Sequence, residues 1–168
     1  MNIAIVGSGY VGLVTGVCLA HIGHRVICVD NDPEKVKKLR QGKVPIYEPG
    51  LEPLMLKYMK KKQLSFTTSI KEATQKATVI FIAVGTPSKK TGEADLTYVE
   101  NVAREIALHI DSYKLIVEKS TVPAETGKRI ERTIKMNLPK KFRQGGRINL
   151  EFDVASNPEF LREGSAVE

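Results

Sequence analysis

Two patterns of apolar residues alternate along the chain. Short, almost unbroken apolar runs occupy residues 3–6, 25–29, 64–67, 78–84, 115–118 and 152–155. Between them lie longer stretches, 12–22, 33–40, 51–62, 70–76, 96–110 and 124–138, with apolar residues spaced for a helix. The first pattern predicts strands and the second amphipathic helices. In the stretch 96–110, Leu96, Val99, Val102, Ala103 and Ile106 fall on one helical face. Local signals support several boundaries. Asp32-Pro33 sets a capping oxygen before a proline suited to a first helical turn, Asp95 precedes the helix at 96, and Gly42 marks a stop.

Strands that alternate with helices pair in parallel, because each crossover needs about a dozen residues to return to the same edge. Near-continuous apolar runs mark strands covered on both faces. The expected architecture is one α/β domain over 1–168: a Rossmann-type doubly wound sheet, mainly parallel, with helices on both faces. Residues 142–151, FRQGGRINLE, read as an exposed connection.

Composition narrows the function more than the fold. No apolar run approaches the roughly 20 residues that cross a bilayer, and the N-terminus lacks a secretory leader, so a cytoplasmic location is expected. Cys18 and Cys28 lie inside a predicted helix and a predicted strand without metal-type spacing, so both read as core residues of a reduced protein with no metal site. The formal charge of +7 concentrates at 60–62, 89–90 and 140–147. Only Phe142 sits among those charges and no nucleic-acid motif accompanies them, so they read as solvated helix ends and loops. Neither a nucleic acid nor a membrane is an expected partner, whereas a basic balance suits an anionic small molecule.

The candidate chemistry begins at GSGYVG, residues 7–12. G-x-G-x-x-G alone is common. Here it follows a predicted strand, opens a predicted helix, and precedes a second strand ending in Asp30, about twenty residues on, as a dinucleotide site requires. Gly7 permits the tight turn, Gly9 clears the approach of a pyrophosphate, and Gly12 lets helix and strand pack closely. The helix N-terminus offers N–H groups and partial positive charge. Asp30 can accept from the adenosine ribose hydroxyls and repels a 2′-phosphate, so NAD is the expected cofactor and NADP is disfavoured. Three later strand ends carry polar sequence that could line the same crevice: Gly85, Thr86 and Pro87; Ser120 and Thr121; and Asn157, Glu159 and Glu163. Each is also compatible with ordinary turn chemistry.

The stretches GYVGL, VPIYEPGL, VGTPS, KSTVP and SNPEFLREG occur in that order over nearly the whole chain. Together they resemble the N-terminal NAD-binding domain of the nucleotide-sugar dehydrogenases, the UDP-glucose/GDP-mannose dehydrogenase family, and most of all its members that oxidise UDP-glucose. The resemblance implies two successive NAD-dependent oxidations of the sugar C6 alcohol, giving UDP-glucuronate, with a cysteine carrying the covalent intermediates. It implies acid–base work for Glu159, and a catalytic water and the nicotinamide side for Thr121. Phe160, Leu161, Arg162 and Glu163, with Glu159, would line the sugar-nucleotide site, and Glu163 would also lie near the nicotinamide. Gly7, Gly9, Tyr10, Val11, Gly12, Asp30 and Thr86 would contact the dinucleotide. Lys35 stands where many members have an arginine; it keeps the charge of that phosphate or adenine contact but not the planar fork.

Family members run to about two or three times this length, so the chain is expected to be the NAD-binding part of a larger enzyme. Its missing parts would be the central dimerisation elements and the C-terminal UDP-binding domain, with the catalytic cysteine. The chain alone is expected to bind NAD without making uronate, and the full-length enzyme is expected to be a homodimer or larger. Domains of GDP-mannose or UDP-N-acetylmannosamine dehydrogenases share most of these motifs. A stand-alone NAD-sensing module would explain GSGYVG and Asp30 but not KSTVP or NPEFLREG. A hydroxyacyl- or phosphogluconate-type dehydrogenase shares the opening fold but not VPIYEPGL.

Overall fold

A computed structural model of the chain describes residues 1–144 and 147–167. Strands β1 (Asn2–Val6), β2 (Arg25–Val29), β3 (Leu64–Thr67), β4 (Val79–Ile82), β5 (Lys114–Glu118) and β8 (Phe152–Ser156) form a six-stranded sheet. Its spatial order is β3-β2-β1-β4-β5-β8, and every pairing is parallel. The chain runs outward from β1 to β3, returns to start β4 beside β1, and runs outward again. That reversal makes the gap between the carboxyl ends of β1 and β4 the natural ligand crevice.

Helices α1 (Tyr10–His21), α2 (Pro33–Arg40) and α3 (Leu51–Lys60) cover one face, and α4 (Ile70–Lys76), α5 (Thr97–His109) and α6 (Thr126–Asn137) the other. Alternation along the strands divides the core accordingly. Ile3, Ile5, Val26 and Cys28 pack with Leu13, Val17, Leu39 and Met55 on the first face. Ala4, Val6, Ile27, Val29, Ile80 and Ile82 pack with Val99, Ala103, Ile106 and Ile130 on the second. The predicted doubly wound architecture is the one observed. All five residues expected on the buried face of α5 are buried.

Helix boundaries follow local chemistry. Asp32 Oδ1 accepts the Glu34 and Lys35 amides, capping α2 as its Asp-Pro predicts. α2 ends where Gly42 takes φ +83°, with the Gly42 and Lys43 amides donating to the Leu39 and Lys38 carbonyls. α6 ends at the residue before Leu138-Pro139, since a proline restricts its predecessor. Boundaries shift from expectation by up to two residues, as at β4, which spans Val79–Ile82 rather than 78–84, and α6, which spans Thr126–Asn137 rather than 124–138. α1 starts at Tyr10 rather than 12, because Gly9 serves as its N-cap without any side-chain bond. The connection at 142–151 is also more ordered than expected. A 3₁₀ turn, Lys140–Phe142, leads into a two-residue antiparallel pair, β6 (Arg143–Gln144) with β7 (Arg147–Ile148). Gly145 and Gly146 of that stretch lie outside the described residues.

Cys28 is fully buried, and burial pushes its thiol up to about 12, consistent with an unreactive core residue; Cys18 is half-buried. Among the described residues, no helix is long and apolar enough to cross a membrane. The clusters at 60–62 and 89–90 are exposed, as a solvated face requires.

One core residue is out of character. Glu118, the last residue of β5, is 2% exposed, and its Oε1 has no hydrogen-bond partner among the described residues. Burial raises its carboxyl from the ordinary 4.5 to about 7, against the opposing effect of the Ser120 amide and hydroxyl. The buried group therefore favours its neutral form.

Two outcomes are expected. Ile80→Ala, which opens a hole at a fully buried position of β4, should lower the unfolding free energy in urea by about 2–5 kcal/mol. Protonated Glu118 favours the folded chain fully below pH 4.5, and that contribution is lost as pH rises through about 7. Urea titrations of wild type and Glu118→Gln should accordingly diverge, with wild type losing on the order of 1–3 kcal/mol relative to the variant between pH 4.5 and 8. A pH-independent difference would contradict a desolvated carboxyl.

Candidate functional site

The loop between β1 and α1 is shaped by contacts that leave no room for side chains. Gly7 takes φ +103°, and a Cβ there would lie 2.4 Å from the Ala83 carbonyl oxygen. Its amide donates to the Val29 carbonyl at 2.8 Å, tying the loop to β2. A Cβ on Gly12 would fall 1.9 Å from the Gly7 carbonyl oxygen, so α1 crosses the loop at backbone contact. Gly9 is the opposite case, with nothing within 4 Å of its Cβ position. It faces open space at the uncapped N-terminus of α1. Amides aimed at a vacant approach, with a helix dipole behind them, fit a diphosphate.

That space is a cavity of about 580 Å³ beyond the carboxyl ends of the central strands. Of the predicted residues, Gly7, Gly9, Asp30 and Lys35 line it, together with Val84 and Gly85 after β4. Its far wall comes from α5, where Tyr98, Asn101 and Glu105 face the cavity. A second hollow of about 460 Å³ lies at the opposite, amino end of the strands, around Asn2, Arg25 and Lys62, and no predicted residue lines it.

Asp30 is more engaged than expected. Its Oδ2 accepts the Ser8 amide (3.1 Å), the Ser8 hydroxyl (2.6 Å) and the Lys35 ammonium (2.7 Å), and Oδ1 accepts the Asp32 amide (3.1 Å). Burial alone would raise this carboxyl, but hydrogen bonds from Lys35, Ser8 and the Asp32 amide hold it below the usual range. Asp30 is therefore a fixed anion. Lys35 pairs with it as well as lining the cavity, so its charge partly offsets the aspartate.

The later strand ends are cross-linked. Thr86 Oγ1 donates to the Thr121 carbonyl (2.8 Å), joining the ends of β4 and β5. The Lys119 ammonium donates to Asn157 Oδ1 (3.1 Å), and the Asn157 amide to the Glu118 carbonyl (2.8 Å), joining β5 to β8. The Glu159 carboxylate accepts the Leu161 amide, which turns the chain after β8. Phe160 is 87% exposed, Leu161 is half-buried, and Arg162 and Glu163 are exposed. Thr86, Thr121 and residues 159–163 do not line the 580 Å³ cavity. Val11 follows Tyr10 in the first turn of α1, also outside the lining.

Three features escaped sequence reading. Ser8, an unspecified position of the glycine motif, is 1% exposed and orients Asp30. Tyr98, Asn101 and Glu105 lie on α5 apart from the five residues of its predicted apolar face, and only the fold turns them to the crevice. Glu48, in VPIYEPGL, is 7% exposed and accepts from Tyr10 and from the segment after β8.

This geometry agrees with known proteins. Residues 1–168 match the family model described as the UDP-glucose/GDP-mannose dehydrogenase family, NAD binding domain. A UDP-glucose 6-dehydrogenase of Bacillus subtilis, TuaD, is 50% identical over 166 residues, 99% of this chain and 34% of that protein. One from Rhizobium meliloti is 47% identical over 169 residues, covering 100% of this chain and 37% of its own. The chain thus spans about a third of the length of these relatives. Among solved structures, a ternary complex of GDP-mannose dehydrogenase from Pseudomonas aeruginosa superposes with a TM-score of 0.90 at 42% identity, over 99% of this chain and 38% of that one. A UDP-glucose dehydrogenase from Pyrobaculum islandicum gives 0.89 at 42% identity, over 99% and 37%. With its glycine cradle, fixed Asp30 and motif-bearing strand ends, the chain belongs to the UDP-glucose/GDP-mannose dehydrogenase family as an NAD-binding domain.

Proposed function

We propose that the chain is the NAD-binding domain of an enzyme that oxidises UDP-glucose to UDP-glucuronate in two NAD-dependent steps. The observation that carries this reading is the open, uncapped start of α1 at Gly9, set against the half-buried anion Asp30. The named relatives supply the substrate. NAD, when bound, would supply the hydride acceptor for the oxidation. The amides at the start of α1 would hold its diphosphate, with Tyr10, Val11, Gly12 and Thr86 around it, and Asp30 would take the adenosine ribose. Lys35 keeps Asp30 ionised and adds positive charge beside the phosphates. Thr121 holds a water near the nicotinamide side, Glu159 takes and returns its proton, and Phe160 to Glu163 line the sugar nucleotide. The cysteine that carries the covalent intermediates, the dimer contacts and the UDP-binding domain belong to the rest of the enzyme. A GDP-mannose dehydrogenase domain is the second reading, because such an enzyme superposes as well, at a TM-score of 0.90, as a UDP-glucose dehydrogenase does at 0.89. Uronate formation from each sugar nucleotide by the full-length enzyme separates the two.

Titration calorimetry of the chain should show NAD binding, weaker NADP binding, and little uptake of UDP-glucose. Gly9→Ala should fold with its stability changed by less than about 1 kcal/mol, since a methyl meets nothing there, yet bind NAD at least about tenfold more weakly. Gly12→Ala, whose methyl meets the Gly7 carbonyl, should lose more than about 2 kcal/mol of stability. Undiminished NAD affinity in Gly9→Ala would remove the diphosphate from this loop.

A further inference from the structure

Glu48 joins three parts of the chain that are far apart in sequence. Its Oε2 accepts the Tyr10 hydroxyl and the Gly164 amide (2.8 Å), while Oε1 accepts the Ala166 amide (2.7 Å) and more weakly the Val167 amide (3.4 Å). The carboxylate is buried and, among the described residues, has no ion-pair partner, so neutral donors alone hold it. Such charge-assisted bonds are about twice as strong as neutral ones. They keep the Glu48 carboxyl below its usual range, the Tyr10 hydroxyl foremost, and burial together with Glu48 drives that phenol up to about 12. The hydroxyl therefore stays a donor and the carboxylate an acceptor.

The three parts are not equivalent. Tyr10 is the first residue of α1, next to the open Gly9. Gly164, at φ +85°, follows directly on residues 160–163. The half-buried Leu161, Ala166 and Val167 pack against the same core face as α1 and α3, so the segment lies on the fold, with Phe160 left outside. Apolar contact alone does not fix the register of four short residues. A carboxylate with paired amides does. One oxygen, Oε2, receives both the helix residue and the segment, and the Tyr10 hydroxyl also lies 3.4 Å from the Arg162 carbonyl, so a change in the first turn of α1 reaches the segment through this one cluster.

We propose that Glu48 is a positioning residue that latches residues 160–164 to the first turn of α1, so that NAD binding and the order of the sugar-nucleotide segment reinforce each other. The proposal rests on the reading above, in which the start of α1 holds NAD and residues 160–163 meet the sugar nucleotide. A diphosphate that fixes the first turn fixes the Tyr10 hydroxyl, and with it Glu48. By reciprocity, an ordered segment tightens NAD binding by the same factor.

Hydrogen–deuterium exchange of the 168-residue chain, with and without NAD, tests this alongside calorimetry. In wild type, residues 161–167 should be protected, and more so with NAD. Glu48→Gln should exchange about tenfold faster over 161–167 with β1 and β4 unchanged, and should bind NAD about fivefold more weakly. Tyr10→Phe keeps the amides on Glu48, so the segment should stay protected without NAD, while the added protection from NAD disappears. A purely structural Glu48 would not produce that loss, and this variant carries the test if Glu48→Gln does not fold. Bound NAD that leaves 161–167 unchanged in wild type, or Tyr10→Phe that keeps the full gain, overturns the latch. A wild type that takes up no NAD, which calorimetry reports separately, overturns the dinucleotide reading and the coupling with it.

Discussion

Backbone-to-backbone contact between α1 and the loop that follows β1 is the constraint on which the site depends. Gly12 touches the Gly7 carbonyl and Gly7 touches Ala83, so helix, loop and β4 meet with no side chain between them. Gly16 extends the same approach, since a Cβ there would lie 2.7 Å from Cys28 Sγ on β2. This closeness brings the helix start directly over the sheet edge where β1 and β4 diverge. A helix held one side chain further out would still cover the core, but its amides would no longer open on the crevice.

Fixed polarity follows from that placement. The start of α1 is uncapped, so its positive end is unspent within the chain. The nearest strong anion, Asp30, is kept charged by Lys35, Ser8 and the Asp32 amide, and is therefore prepared to accept hydroxyls rather than to take a proton. Glu118 shows the contrary solution a few residues from Thr121, a carboxyl with one oxygen unpartnered among the described residues and driven by burial toward its neutral form. Two acids at strand ends of one sheet thus differ in charge because donors outweigh burial at the half-buried Asp30, whereas burial outweighs donors at Glu118.

The fold was legible in the sequence because its signals are local. Six apolar runs became six parallel strands, and Asp32-Pro33 and Gly42 bounded α2, because a cap, a proline ring or a left-handed glycine acts within a few residues. The β6–β7 pair escaped because two residues per strand carry no period. In the site, GSGYVG and Asp30 were legible as a spacing. Glu48 was not, since its donors lie 38 residues away at Tyr10 and 116 to 119 residues away after β8, and nothing near VPIYEPGL indicates them. Glu118 closes an apolar run with a charge, which in sequence reads as a strand leaving the core; only the layer above β5 buries it.

The distribution of polar groups has a physical logic. A parallel sheet sends every strand end to the same side, so residues remote in sequence, such as Thr86 and Thr121 or Lys119 and Asn157, become neighbours there. Each such pair closes a long loop, and one hydrogen bond of about 1 kcal/mol is small beside the entropy of ordering it. The pairs survive because the hydrophobic sheet beneath has already brought the ends together. The sheet therefore supplies the stability, and the polar cross-links choose among the few arrangements it leaves open. In that division of labour Glu48 is the farthest-reaching selector, because it aligns a loop, a helix start and the last described segment through one carboxylate.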